Sequence, residues 1–214
     1  MSKNKAFERA KGIVFESREV RSILNGFMTQ TRRYVRPQPE SNNAGISGES
    51  AVVPAYKVGD ILNVRETQSV RRIQDQEGEN AVRVKYKADG TVRTFYVSDK
   101  EWQRLKKFDS DHQKYISPYW TTKETSRIFL LVTGVRLEKL QDITEKEAEK
   151  EGFSAGSFEI KSGPWGVEDD PEVWTAVEAF KDAWNDTLKK AEFDDFNWDK
   201  NPWVFVYTFK KITL

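Results

Sequence analysis

The residues richest in chemistry lie in Thr29-Gln30-Thr31-Arg32-Arg33-Tyr34, straight after Asn25-Gly26-Phe27-Met28. In an extended segment successive side chains alternate, so Thr29, Thr31 and Arg33 address one side while Gln30 and Arg32 address the other. A planar guanidinium fork suits phosphate or carboxylate, and the stretch therefore reads either as an anion clamp or as a set of surface ion pairs. Arg65-Glu66, at the end of an apolar run, reads either as part of a structural ion pair or as a carboxylate held for proton transfer. Aromatic residues form a third group: Tyr115, Tyr119, Trp120, Trp165 and Trp203. Trp120 and Trp165 sit in loops bearing proline, serine and glycine, where a ring either packs the loop onto the fold or stacks on a base.

Composition narrows the options. With no cysteine and a single histidine, His112, a thiol nucleophile, a disulfide framework, a Cys/His zinc site and a histidine-based triad are excluded. Chemistry falls to carboxylates, hydroxyls, lysines and arginines. Asp169-Asp170 and Asp194-Asp195 read as caps or solvated loops more readily than as Mg²⁺ ligands, and His112 reads as exposed. No metal and no cofactor is expected. Net charge is +1, yet residues 1–107 carry +8 and residues 108–214 carry −7. That asymmetry suits a basic face for an anionic partner, or two halves that pack together. No run of about 18 apolar residues exists and the start, MSKNKAFERAKG, lacks the apolar segment of a secretory signal, so a cytoplasmic protein without a membrane partner is expected.

The elements that must position these residues follow from periodicity and punctuation. Ile13-Val14-Phe15 reads as a strand; Ser17 caps a helix with Val20, Ile23 and Leu24 on one stripe; and Gly26 falls where a C′ glycine belongs. Residues 36–54 (RPQPESNNAGISGESAVVP) read as a long loop able to fold over a ligand. A turn at Tyr56-Lys57-Val58-Gly59-Asp60 feeds a strand ending at Arg65-Glu66. AVRVKYK and TVRTFYV form a hairpin about Ala88-Asp89-Gly90, with Val82, Val84 and Tyr86 on one face and Arg83, Lys85 and Lys87 on the other, a face either phosphate-directed or simply solvated. Ser98 to Glu101 and Thr144 to Glu147 are capping boxes, the second opening a helix that ends at Glu151 before Gly152. SRIFLLVT reads as a buried strand. Asp170-Pro171 opens a helical insertion at about 170–190 with Trp174, Val177, Trp184 and Leu188 as its stripe, and WVFVYTFK is a terminal strand. The sum is an α+β chain: a tail at 1–12, then a single domain at 13–214 built on a small, mostly antiparallel β-barrel with flanking helices and long loops.

The ordered motifs resemble a known family. Gly26-x-Met28-x-x-Thr31-x-Arg33, then Val58-Gly59-Asp60 and Arg65-Glu66-Thr67, are similar to the ASCH domain, a relative of the PUA RNA-binding fold. VRSILNG, TQTRR-x-V-R-PQP, GD-x-L-x-VRET, SRIFLLVTGVRLEKLQDIT, EKEAEKEG and WDKNPWVFVYTFKKI are similar to the larger ASCH-type proteins of bacteriophage and prophage genomes, often labelled morphogenetic proteins. The resemblance implies a PUA-like β-barrel with a cleft beside the signature loop for RNA, a nucleotide or a nucleoside. Some members are amidohydrolases that deacetylate N4-acetylcytidine, and a related one is a ribonuclease. Their threonine and glutamate fall on Thr31 and Glu151, while their lysine falls on Met28, whose thioether neither accepts a proton nor stabilises an oxyanion. The leading expectation is accordingly a nucleic-acid or nucleotide binding module using Arg32, Arg33, Arg65 and Trp120 beside Thr31. The alternatives are an N4-acetylcytidine-type amidohydrolase or ribonuclease with Thr31 as nucleophile assisted by Glu151, and a phage protein that binds a host protein.

Overall fold

The computed structural model describes residues 3–39, 52–74, 79–109, 114–158 and 172–214. His112, Trp165, Asp169-Asp170, the Asp170-Pro171 cap and most of the 36–54 loop lie outside the described residues. In chain order the elements are α1 (Lys3–Arg9), β1 (Lys11–Val14), α2 (Ser17–Leu24), β2 (Gln30–Tyr34), β3 (Ile61–Arg65), β4 (Gln68–Gln74), β5 (Asn80–Tyr86) and β6 (Val92–Tyr96). There follow α3 (Asp99–Leu105), β7 (Phe129–Lys139), α4 (Glu145–Lys150), β8 (Gly156–Phe158), β9 (Glu172–Trp174), α5 (Ala176–Thr187), α6 (Lys190–Phe196) and β10 (Trp203–Ile212). This is an α+β fold with mostly antiparallel sheets; among the described residues no closed barrel forms. No helix of the described residues is long and apolar enough to cross a membrane.

The chain divides into two compact units, one comprising Met1–Asn25, Val58–Thr133 and Phe209–Leu214, the other Gly26–Lys57 and Gly134–Thr208. In the first, β1 runs parallel to β3, and β3 pairs antiparallel with the start of β7. The β4-β5-β6 meander is antiparallel throughout, with Val84 opposite Val70 and Arg83 opposite both Arg71 and Thr94. Its inner face buries Val70, Val82, Val84 and Tyr86 with Leu105 of α3 and Ile116. The hairpin turn is as expected: Gly90 has φ +73° and Asp89 Oδ1 accepts the Thr91 N–H at 3.0 Å. Ser98 caps α3 by accepting the Glu101 N–H at 3.3 Å. At α2 the cap is not Ser17 but Glu16, whose N–H donates to Glu19 Oε2 at 2.7 Å, because the chain turns helical one residue earlier. Val20 and Ile23 are buried as the stripe requires, and the stretch taken as a tail contains α1.

In the second unit β2 pairs antiparallel with β10, Thr31 lying opposite Tyr207 and Arg32 opposite Val206. One side of this ribbon carries Val204 and Val206 against Leu140, Ile143, Ala148, Phe180 and Trp184, with Tyr34 packed alongside. The other carries Val35, Phe205 and Tyr207 with Tyr56, Leu137 and Trp203. The buried stripe of α5 is Ala176, Phe180 and Trp184, with Val177 and Leu188 half-buried against the same cluster as expected. Trp174 belongs to β9, and Thr175 caps the helix by accepting the Glu178 N–H at 3.1 Å.

Candidate functional site

The signature strand β2 and helix α4 meet through a buried charge network in the second unit. Helix α4 forms where the sequence predicts: the Glu147 carboxylate accepts the Thr144 N–H at 3.2 Å, Glu151 is the C-cap, and Gly152 follows at φ +82°, a conformation costly for any residue with a Cβ. Helical spacing puts Glu147 and Glu151 on one face, and strand alternation puts Gln30 and Arg32 opposite them. Glu151 Oε2 accepts the backbone N–H of Arg32 at 3.2 Å, and its Oε1 accepts both Arg32 Nη1 and Gln30 Nε2. Arg32 Nη2 donates to Glu138 of β7 and to Glu147 Oε2, the latter at 3.1 Å. Arg136 closes the group, donating to Glu138 Oε2 at 2.6 Å, to Glu147 Oε1, and to Gln30 Oε1 at 3.3 Å.

Two guanidiniums thus face three carboxylates. The Arg32 side chain is 0% exposed and that of Glu151 4%. Burial opposes the charge on Arg32, but Glu151 and Glu138 outweigh it and hold the guanidinium above its ordinary value. Burial pushes the Glu151 carboxyl up, against the pull of Arg32 and Gln30. Burial also acts on Glu147, where the Thr144 N–H and the charges of Arg136 and Arg32 prevail and hold it below the usual carboxylate range. Arg32 Nε is buried and has no partner among the described residues.

The other side of α4 opens onto a cavity of about 720 Å³ lined by Gly26, Phe27, Lys146, Glu149, Lys150 and the Gly152–Ser154 turn. Phe27 is 69% exposed. The Thr29 N–H donates to the Lys150 carbonyl at 2.8 Å and ties the signature loop to the end of the helix. Gly26, at φ +81°, turns the chain into this wall. The lining is amphipathic, with two ammonium groups and the Glu149 carboxylate beside two aromatic rings.

Of the residues singled out in the sequence, Arg32 and Glu151 are brought together, and Arg32 is committed to carboxylates inside the fold. Thr31 is also buried, but alternation places it and Arg33 on the Tyr207 side of β2, away from Glu151. Burial raises the Tyr207 phenol, and the Arg33 charge is among the influences opposing that rise. Met28 is buried.

Arg65 and Trp120 belong to the other unit. Arg65 donates Nε and Nη2 to the Thr121 carbonyl at 2.9 and 2.7 Å. Glu66 pairs with Arg127, which gives it Nε and Nη2, both at 2.8 Å, and places its guanidinium 3.9 Å from the Tyr86 ring centre. Burial raises the Glu66 carboxyl against that partner. Glu66 is thus in a structural ion pair, but with Arg127, while Arg65 is spent on the Thr121 carbonyl. Trp120 is 52% exposed beside exposed Tyr119, with Lys107 Nζ 4.5 Å from its ring centre. Asp194 and Asp195 lie exposed on α6. Among the described residues no group of acids and histidines is arranged to hold a metal.

Sequence reasoning missed Arg136 and Glu138, because the expected strand stopped at Thr133 whereas β7 continues to Lys139. It also missed the cavity residues Phe27, Lys146 and Lys150, although the i, i+4 lysines on the outer face of a capped helix were visible. No family model, no curated protein and no solved structure matches the chain.

Proposed function

We propose that the chain is a nucleic-acid or nucleotide binding module of the ASCH/PUA-like class, directed at RNA, with its strands a PUA-like arrangement and the cavity beside Gly26 its base-and-phosphate site. The observation that carries this reading is the lining of that cavity: Phe27 offers a ring face, Phe153 an apolar wall, and Lys146 and Lys150 two cationic donors that outnumber the single carboxylate of Glu149. A nucleotide presents the complementary pair, a π-face and a phosphate. The buried network gives the site a rigid back wall, since Arg32 ties β2 to the end of the helix that carries both lysines. The resemblance of the Gly26 to Arg33 signature to ASCH proteins points to the same loop. The hydrolase alternative is weaker, because Thr31 and Glu151 occupy opposite sides of β2.

Calorimetric titration of the intact chain with a cytidine or uridine monophosphate and with a short single-stranded RNA tests the proposal. Saturable binding that weakens with salt and is lost in Phe27→Ala with Lys150→Ala supports it. Wild-type chain that takes up neither ligand at low salt overturns it.

A further inference from the structure

Helix α4 has two faces of different use. Glu147, Ala148 and Glu151 turn inward, Ala148 into the apolar cluster and the two carboxylates onto Arg32. Lys146, Glu149 and Lys150, spaced i, i+3, i+4, share the opposite face and line the cavity with Phe27 and Ser154. All three are exposed, and among the described residues none of their side chains has a hydrogen-bond or ion-pair partner. Two ammonium groups in this wall answer to a phosphate. A carboxylate in the same wall repels one, so what Glu149 offers a nucleotide is a contact to another part of the ligand.

We infer that the cavity selects guanine, with Glu149 accepting from the N1–H and the 2-amino group of the base while Phe27 stacks on its ring and Lys146 and Lys150 hold the phosphate. An ionised carboxylate accepts and never donates, and it does so through two oxygens side by side. Guanine is the common base whose pairing edge sets two donors next to each other. Cytosine and adenine place one amino donor beside a ring-nitrogen acceptor, and uracil flanks its single N–H with two carbonyls, so each of these turns a lone pair toward the carboxylate. In single-stranded RNA that edge is free to be read. The inference rests on the nucleotide reading of the cavity and adds to it the identity of the base.

The experiment is calorimetric titration of the intact chain at low salt with guanosine, inosine, adenosine, cytidine and uridine monophosphates. The guanosine nucleotide is expected to bind about tenfold or more tighter than those of adenosine, cytidine and uridine. Inosine monophosphate, which keeps the N1–H and lacks the 2-amino group, should fall between. Glu149→Gln, whose amide presents one acceptor oxygen, should remove the preference, whereas Lys146→Ala should weaken every nucleotide alike and keep their order. Glu149 is exposed, so Glu149→Gln should keep the wild-type melting temperature, and preference lost without stability lost is a lost contact. If Glu149→Gln instead raises all affinities equally and keeps their order, the carboxylate acts only as a charge near the phosphate and the inference is overturned. A wild-type chain that binds all the bases alike overturns it too. Either result leaves the nucleotide reading standing, and a wild-type chain that binds none of these nucleotides overturns both.

Discussion

Arg32 gives both its backbone N–H and its guanidinium to the single carboxylate of Glu151. A strand residue and a helix C-cap residue more than a hundred positions away are thereby locked in one register. A one-residue slip of β2 in one direction would put Thr31 where Arg32 stands and leave Glu138, Glu147 and Glu151 without their shared cation. The network therefore fixes β2 against α4, the helix whose Lys146 and Lys150 line the cavity beside Phe27.

Arg32→Met should be the most damaging single change in this network. It leaves Glu151 with no cation and Glu138 and Glu147 with Arg136 alone, and removal of one partner from a buried ionic group typically costs about 3–5 kcal/mol. Glu151→Gln keeps a hydrogen-bonding side chain of the same size and should cost less, about 1–3 kcal/mol. Arg32→Lys should not restore stability, since one ammonium cannot span Glu138, Glu147 and Glu151 as the fork does. Urea unfolding of the variants at neutral pH checks the ranking, and equal losses for Met and Gln would show that the fork is not what holds the register.

Acid should separate the two helix carboxylates. Glu147 is held below its ordinary value of 4.5, so its contribution is present above that value and is lost as pH falls through the lower folded one. The stability gap between wild type and Glu147→Gln should accordingly narrow as the pH is taken below about 4.5. Glu151 runs the other way. Burial raises its folded pKa, so protonation favours the fold, and the gap between wild type and Glu151→Gln should widen as pH falls through the raised value toward 4.5. Thermal unfolding across this range reads both signs, and parallel behaviour of the two variants would contradict the assignment.

Local signals were the legible ones. Gly26, Gly90 and Gly152 lie at positive φ where turns or helix ends were expected, and the caps at Ser98 and Thr144 fell on the right residues. These features depend on a few neighbouring residues, which a sequence states directly. The alternation of TQTRR was legible too, and it put Gln30 and Arg32 on one side as observed. What that side meets was not legible, because Glu138 comes from β7 and both Glu147 and Glu151 from α4, and nothing in Arg32-Arg33 distinguishes a fork bound for the interior from one bound for a phosphate. The motif resemblance was likewise silent on whether Thr31 and Glu151 share a face.

Met28→Lys tests that last point. Thr31 and Glu151 lie on opposite sides of β2, so a lysine at this position should not produce deacetylation of N4-acetylcytidine. A lysine only helps if a hydroxyl is within reach of both it and its base. Product formation followed by chromatography, in wild type and variant alongside Thr31→Val, should show no turnover in any of them. Turnover that appears with the lysine and disappears with the valine would bring the hydrolase reading back.

The cavity makes separable demands on its two kinds of lining. Phe27 is exposed in the free chain, so Phe27→Ala should leave the melting temperature unchanged while removing a stacking contact worth about 1–3 kcal/mol, roughly five- to a hundredfold in affinity for a nucleotide. Lys150 touches the signature loop through its backbone carbonyl, which Lys150→Ala retains, so that variant should also stay folded. Its loss should instead appear in the electrolyte, lowering the slope of log affinity against log salt by about one while Phe27→Ala leaves the slope alone. Titration of wild type and the two variants at several salt concentrations resolves the contributions. If both variants shift affinity and neither changes the slope, the lysine is not at a phosphate and the ligand of this cavity is uncharged.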